Sequence, residues 1–406
     1  MGHDRIGFTE FVALIAALMA MTALSIDSML PALPAIGESL QVVADNDRQW
    51  VIASFLIGFG LGQIVHGPLS DRFGRKPVLL TSLGFTILFN IAAAVAGSFT
   101  LLVAARLLSG VAVASSRVLT VSIVRDRYSG RQMARVMSLA FIVFMAAPIL
   151  APIFGQLVLT VAPWRAIFAA LATAAAMLLM WAAWRLPETL PAENRRPLSI
   201  AALIQGFRGT LSDRMSVGYT AAFALLLAAL YGFINSIQQV VTDVYGRADL
   251  LIPVFAAVGT AMAVASWFNA RLVLRLGTRF ISHWALIGFI TFAAVHLLLA
   301  LTGRETVVLF VAVQAAMMAC FGLTGSNFGA MAMENMGRMA GMASSVQGFI
   351  GSTAGAVMGL LIGQAFDGTA VPLYLGFLVA GLGSLLLTFI TERGTLFRRG
   401  VPEAAE

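Results

Sequence analysis

The sequence predicts an all-α polytopic membrane protein of twelve transmembrane helices, arranged as two pseudo-symmetric six-helix bundles with both termini cytoplasmic. Composition, the length of the apolar runs and the sidedness of the basic residues predict it. Of the 406 residues, 59% are hydrophobic and only 11% charged, where soluble proteins carry about 25% charged residues. A water-soluble fold of this length could not cover that much apolar surface, so the solvent is lipid. There only helices and closed barrels satisfy every backbone N–H and C=O. Barrel strands would alternate over segments of about ten residues. Here the apolar runs are continuous over about 20, the length of a helical span.

The runs fall at 8–31, 49–70, 77–97, 100–124, 136–160 and 165–186, then at 216–241, 250–270, 281–302, 305–328, 341–365 and 371–390. The first continues into Asp27, Pro31 and Pro34 without a small-residue cleavage site, so it reads as a span rather than a removed signal peptide. The second ends in the polar turn Gly67 to Lys76, and the fourth carries Arg106 and Arg117. The fifth contains Pro148 and Pro152, and the ninth contains His296. An even number of spans puts both ends on one side. If that side is the cytoplasm, Arg48, Arg165, Arg247 and Arg304 fall outside and Arg106 and Arg117 fall within spans. Every other one of the 26 basic residues falls inside, as the positive-inside rule requires. The net charge of +7 is therefore topological and does not imply a nucleic-acid partner.

These boundaries give an N-terminal bundle at 1–190, a cytoplasmic linker at 191–215 and a C-terminal bundle at 216–406. The linker follows Pro187-Glu188-Thr189 and holds Arg195-Arg196-Pro197; its stretch 198–211 is amphipathic and reads either as a short interfacial helix or as a plain connector. The halves resemble one another. Arg72-Phe73-Gly74-Arg75 follows the second run and Arg275-Leu276-Gly277-Thr278-Arg279 the eighth, about two hundred residues later. Such repeats place a substrate site near the midplane between halves that rock against each other.

Asp27 is the only carboxylate clearly inside a span. A charge near the bilayer centre costs about 2.5–3.5 kcal/mol, and burial favours the uncharged acid, the form a proton carrier needs. Proton or substrate binding is weighed against a structural ion pair. Arg106 lies at a similar depth and Arg117 eleven residues on, about three turns later on the same face. A buried arginine cannot shed its proton, so Arg106 needs an anionic partner, which Asp27 would supply; a helix–helix brace is the alternative. For Arg117 the functional and structural readings are even. One acid and two arginines favour neutral, zwitterionic or anionic amphiphiles over dications.

The turn Gly67-Pro68-Leu69-Ser70-Asp71-Arg72-Phe73-Gly74-Arg75-Lys76 resembles the loop between spans two and three of the major facilitator superfamily. Arg106 followed by Gly110 resembles its second motif. Ala147-Pro148-Ile149-Leu150-Ala151-Pro152-Ile153-Phe154-Gly155 is similar to its antiporter motif. Asp27 to Pro34, Arg125-Asp126, Trp164-Arg165 and Gly341-x-Ala343-Ser344-Ser345 narrow the resemblance to drug:proton antiporters of the bicyclomycin-resistance type. Gln156 stands where those proteins usually have a second glycine, and Ser326-Asn327 replaces a common Pro-Asn pair.

The resemblance implies that Asp27 and Arg106 couple protons to transport. It makes Gly67, Asp71, Arg72, Gly74 and Arg75 a gate, with Arg125 as partner of Asp71. It makes Ala147, Pro148, Ala151, Pro152 and Gly155 a tight helix–helix seal, although packing alone explains small residues every four positions equally well. The second-half turn has Val273 where the aspartate would stand, so its latch is expected to be weaker. Candidate substrate contacts are Asp27, Arg106 and Arg117, with Tyr231, Asn235, Gln239, Gln314 and Asn327 from the second half. Gln238, Asp243 and Gln347 are weaker candidates, and Phe55, Phe59, Phe141, Phe144, Trp267 and Phe321 are possible aromatic walls. His296 reads as a hydrogen-bonded packing residue, and Glu10 and Glu334 as groups reaching for the membrane surface.

There is no phosphate-binding glycine loop, zinc-ligand spacing or Ser-His-Asp set, so the chain is not expected to be an enzyme or to hold a cofactor; an ion gradient is the remaining energy source, which the resemblance implies is the proton gradient. The leading expectation is a monomeric proton-coupled exporter of small, mostly apolar compounds in a bacterial inner membrane, with protons, a small-molecule substrate and the bilayer as partners. The alternatives are a proton-coupled uptake symporter and a receptor or scaffold that does not transport.

Overall fold

The computed structural model describes residues 6–195 and 200–398, among which there is no β-strand. The first stretch holds α1 (Phe8–Asp27), α2 (Leu33–Ser39), α3 (Trp50–Phe73), α4 (Arg75–Ala94), α5 (Phe99–Arg127), α6 (Gly130–Val161) and α7 (Arg165–Arg185). The second holds α8 (Ile200–Ser212), α9 (Arg214–Gln239), α10 (Leu251–Leu276), α11 (Thr278–Leu301), α12 (Val307–Ala332), α13 (Ala340–Gln364) and α14 (Val371–Thr391). Among the described residues eleven helical segments are long and apolar enough to cross a membrane. The fifth predicted run lies in α6, whose apolar stretch Ala146–Val161 is shorter. The amphipathic linker stretch forms α8; its first two residues, 198 and 199, lie outside the described residues, as do Arg196 and Pro197.

Local chemistry sets the helix ends. Ser98 caps α5, Asp213 caps α9 and Thr306 caps α12, each side chain accepting from a backbone N–H three residues on. Gly74 ends α3 at φ 101°, ψ 157°, and Gly277 ends α10 at φ 83°, ψ 154°. Side-chain-bearing residues rarely adopt that backbone shape, so the repeated Arg-x-Gly turn is one geometry used twice.

The chain divides into two compact units at Leu203–Ile204. In the first, α1 packs on α6, α3 on α5 and α4 on α7; in the second, α9 packs on α13, α10 on α12 and α11 on α14. Glycines make the closest approaches. A Cβ on Gly58 would run into the Leu107 carbonyl oxygen and one on Gly110 into that of Phe55, so α3 and α5 touch backbone to backbone. In the second unit a Cβ on Gly359 would come within 2.7 Å of the Tyr231 Cβ. Large apolar side chains such as Val95, Leu157, Trp184, Leu298 and Val379 are exposed on the outside, a pattern untenable in water and ordinary in lipid.

Candidate transport site

Asp27 is the last residue of α1 and is 4% exposed; its Oδ1 has no hydrogen-bond partner among the described residues. The chain then turns through Leu30–Ala32 into α2. Gly155 of α6 lies against that turn: a Cβ there would meet the Ser28 carbonyl oxygen and come within 3.1 Å of Pro31 Cγ. Ala151 and Ala147, one and two turns earlier, are buried. The small-residue motif thus packs on the segment that follows Asp27.

Arg106 of α5 is fully buried. Its Nε donates to the Val51 carbonyl at 2.8 Å, and its guanidinium lies 4.3 Å from the ring centroid of Phe55 and 5.8 Å from that of Phe168. Cation–π contact offsets part of the lost hydration, yet both Nη atoms lack a hydrogen-bond partner. The expected ion pair with Asp27 is not formed. Arg106 is anchored on α3 by Val51 and Phe55, while Asp27 closes α1 beside α6. Arg117, predicted on the same face, is exposed.

The loop after α3 is more interlocked than the sequence suggested. Asp71 pairs with Arg75 at 2.6 Å, and Arg75 Nε pairs with Asp126 at 3.0 Å. Arg75 Nη1 also donates to Ser70 Oγ at 2.6 Å. The backbone N–H groups of Arg75 and Lys76 donate to the Glu188 carboxylate at 2.9 and 3.2 Å, the natural seat for an anion at a helix N-terminus. Arg125, predicted as the partner of Asp71, is exposed and forms no ion pair among the described residues. Neighbouring positions on a helix point about 100° apart, and here it is Asp126 that faces the loop. Arg72 is exposed and Gly67 half-buried.

The second-unit turn carries ion pairs that the sequence did not announce. It lacks an aspartate of its own, but Arg279 pairs with Glu334 and with Glu392, both at 2.7 Å, and Tyr219 donates to Glu392 at 2.7 Å. Burial pushes Glu392 up, but the hydrogen bonds from Tyr219 and Arg279 outweigh it and hold the carboxyl below its ordinary value. Glu334 is therefore an ion-pair partner rather than a residue merely reaching for solvent. So is Glu10, which accepts from Nε and Nη2 of Arg185 at 2.7 and 2.6 Å.

Among the second-unit candidates, Tyr231, Asn235, Gln238 and Gln239 of α9 and Gln314 and Asn327 of α12 are all buried, on two helices packed together; Asp243 is exposed. Asn235 and Gln314 leave both amide atoms unpartnered. Asn327 is committed elsewhere, donating to Asn269 Oδ1 and to the Leu323 carbonyl, each at 2.8 Å. Gln347 is likewise held by Ser216 and Ala332. Phe55 and Phe59 sit in a core with Val113 and Ala114, Phe321 stacks on Phe223, and Trp267 is exposed under Arg271. The side chains of Phe141 and Phe144 lie outside the described residues.

The Major Facilitator Superfamily model matches residues 13–360. The chain is 29% identical over 367 residues to the bicyclomycin resistance protein homolog of Haemophilus influenzae, covering 89% of this chain and 91% of that one. It is 25% identical to the multidrug resistance protein MdtL of Escherichia coli (strain SMS-3-5) over 396 residues, 95% and 96% of the two chains. The human organic anion transporter MFSD10 (TETRAN) has the same fold, with a TM-score of 0.68 at 21% identity over 94% of this chain and 98% of that one. The resemblance read from the loop and span motifs holds, and the chain belongs to the major facilitator superfamily, whose members are membrane transporters rather than enzymes.

Proposed function

We propose that this protein is a proton-coupled antiporter of a bacterial inner membrane that exports small, mostly apolar, neutral or zwitterionic compounds by alternating access. One observation carries the reading: the first unit buries a carboxylate, Asp27, and a guanidinium, Arg106, within spans, and among the described residues neither is neutralised by an ion pair. Unpaired ionisable groups at such depth are expensive and mark ion or substrate pathways. Asp27 is then the proton carrier. Protonated, it is neutral and tolerated in its buried seat; deprotonated, it needs a cation, and the free Nη atoms of Arg106 are the available donors. Exchange of one state for the other drives the cycle.

Asn235 and Gln314 hold substrate through their unpartnered amides. Amides recognise hydrogen-bonding neutral groups without demanding a net charge, which suits the resistance proteins among the relatives. Arg117, Tyr231 and Gln239 are secondary contacts. The loop built on Asp71, Arg75 and Asp126 gates the cytoplasmic end. In this reading α6 is the fifth of twelve spans, both termini are cytoplasmic, bundles at 1–190 and 216–406 flank the linker 191–215, and the protein works as a monomer.

The test is flux in proteoliposomes under an imposed pH gradient, with phenicols, bicyclic peptides, fluoroquinolones and small metabolites as substrates and an internal pH dye as readout. Export with counter-movement of protons is expected, and Asp27→Asn should abolish the coupling. Coupling unchanged in Asp27→Asn sinks the assignment, and accumulation only in the direction of proton flow would make the protein a symporter.

A further inference from the structure

A second ionisable pair is buried in the second unit, on residues to which the export reading gives no role. His296, fully buried in the penultimate turn of α11, places Nδ1 2.7 Å from Oε1 of Glu305, which lies in the segment between α11 and α12. The Glu305 side chain is only 6% exposed. Two phenols complete the cluster on its other oxygen: Tyr245 donates to Oε2 at 2.8 Å and Tyr374 at 2.9 Å. Tyr245 follows the π-helical turn Val240–Val244 that ends α9, and Tyr374 lies in the first turn of α14. The His296 ring stacks on Tyr374 at 4.4 Å, and Phe310 of α12 covers it at 5.8 Å. One carboxylate thus ties together the ends of α9, α11 and α14, beside the start of α12.

Charge makes this more than a brace. Both tyrosines are neutral donors; burial pushes the Tyr245 phenol above its ordinary range, so it keeps its proton. Among the described residues no arginine or lysine pairs with Glu305. Arg304 beside it is exposed, Arg247 and Asp249 pair with each other, and Asp243 on the α9 extension is exposed. With a neutral imidazole the cluster therefore encloses a full negative charge; with one more proton it becomes a charge-assisted ion pair of zero net charge. Imidazole is the side chain built to make that change between pH 5 and 8. The His296 Nε2 atom is buried without a partner, and it is the atom left over to receive or release the proton when the helix ends part.

We propose that the His296–Glu305 pair is a second proton-binding site of this protein, at the end of the second unit that the basic residues assign to the outside. Its proton fixes the clasp formed with Tyr245 and Tyr374. With the proton bound, the ends of α9, α11 and α14 are held; without it, an uncompensated buried charge favours their separation. The second unit then handles a proton of its own, responsive to the external compartment and separate from Asp27.

The test is nitrogen-15 NMR of the full chain labelled at its four histidines, with the His296 signal assigned by its loss in His296→Gln. The readout is the bound proton, so it does not depend on substrate or on the export reading. Wild-type His296 should change protonation between pH 5 and 8, and in Glu305→Gln it should stay neutral across that range. Tyr374→Phe, which removes one hydrogen bond but keeps the pair, should leave the change in place and serves as the folded control alongside unaltered signals from the other histidines. A His296 that holds one protonation state throughout in the wild type, or that titrates identically in Glu305→Gln, overturns the proposal.

Discussion

Gly155 meets the carbonyl of Ser28 so closely that no Cβ fits between them. Ser28 immediately follows Asp27, so the packing of α6 bears directly on the turn that holds the buried carboxylate. Gly155→Val should therefore displace that turn and lose coupled flux as well as stability, overpacking costing about 1–3 kcal/mol. Thermal melting together with proton-coupled flux checks this; full coupling in a folded Gly155→Val variant would show that α6 does not position Asp27.

Arg106 is held by a directional hydrogen bond to Val51 and by stacking on Phe55. Lysine keeps the charge but has neither the planar fork nor its stacking face. Arg106→Lys is expected to retain no more than about a tenth of wild-type coupled flux, a loss of about 1.4 kcal/mol or more in transition-state terms. Flux equal to wild type would mean that the positive charge alone suffices.

Asp126 and Arg125 are neighbours with different surroundings. Asp126→Asn removes a partner of the buried Arg75 and should slow transport several-fold, while Arg125→Gln should leave rates within about twofold, as surface changes usually do. The reverse order in initial-rate measurements would restore Arg125 as the gating partner.

The buried asparagines Asn235 and Asn327 should part company. Asn327→Ala breaks hydrogen bonds to Asn269 and Leu323 and should cost about 1–3 kcal/mol of stability. Asn235→Ala removes an amide with no hydrogen-bond partner among the described residues, so substrate affinity should fall while the melting temperature changes little. Equal effects of both on binding and melting would contradict the separation.

Glu392 supplies the pH-dependent test. Its folded value lies below the ordinary 4.5, so its contribution to stability is present above that value and is lost as pH falls through the lowered one. The melting advantage of wild type over Glu392→Gln should be constant well above the ordinary value and shrink as the pH falls below it. An advantage that grows on acidification would reverse the sign.

Much of the helical layout was legible because lipid imposes a simple rule: a long apolar run must be a helix. The turn at Gly74 and its repeat at Gly277 were legible too, since their glycines answer to backbone geometry. What the runs do not encode is rotation about each helix axis. Similar depth suggested pairing Asp27 with Arg106, but depth says nothing about azimuth, and Arg106 faces Phe55 and Val51 instead. The same gap hid Asp126 behind Arg125 and left Glu334 and Glu392 unconnected to Arg279. Glu188 went unnoticed because its partners are main-chain N–H groups 112 and 113 residues away, which no side-chain motif announces.

The grip of Glu188 on the first turn of α4 also fixes where the segment after α7 is tied to its own bundle. The carboxylate holds Arg75 and Lys76, and the Thr189 and Leu190 N–H groups fold back onto the same carboxylate at 2.9 Å. The segment after α7 is thus moored before the linker begins. Tension on that tether would be borne at α4 and at the Gly74 bend rather than by unravelling the last turn of α7. A connector between two bundles is usually pictured as a passive leash; this one is knotted to the very loop that carries Asp71 and Arg75.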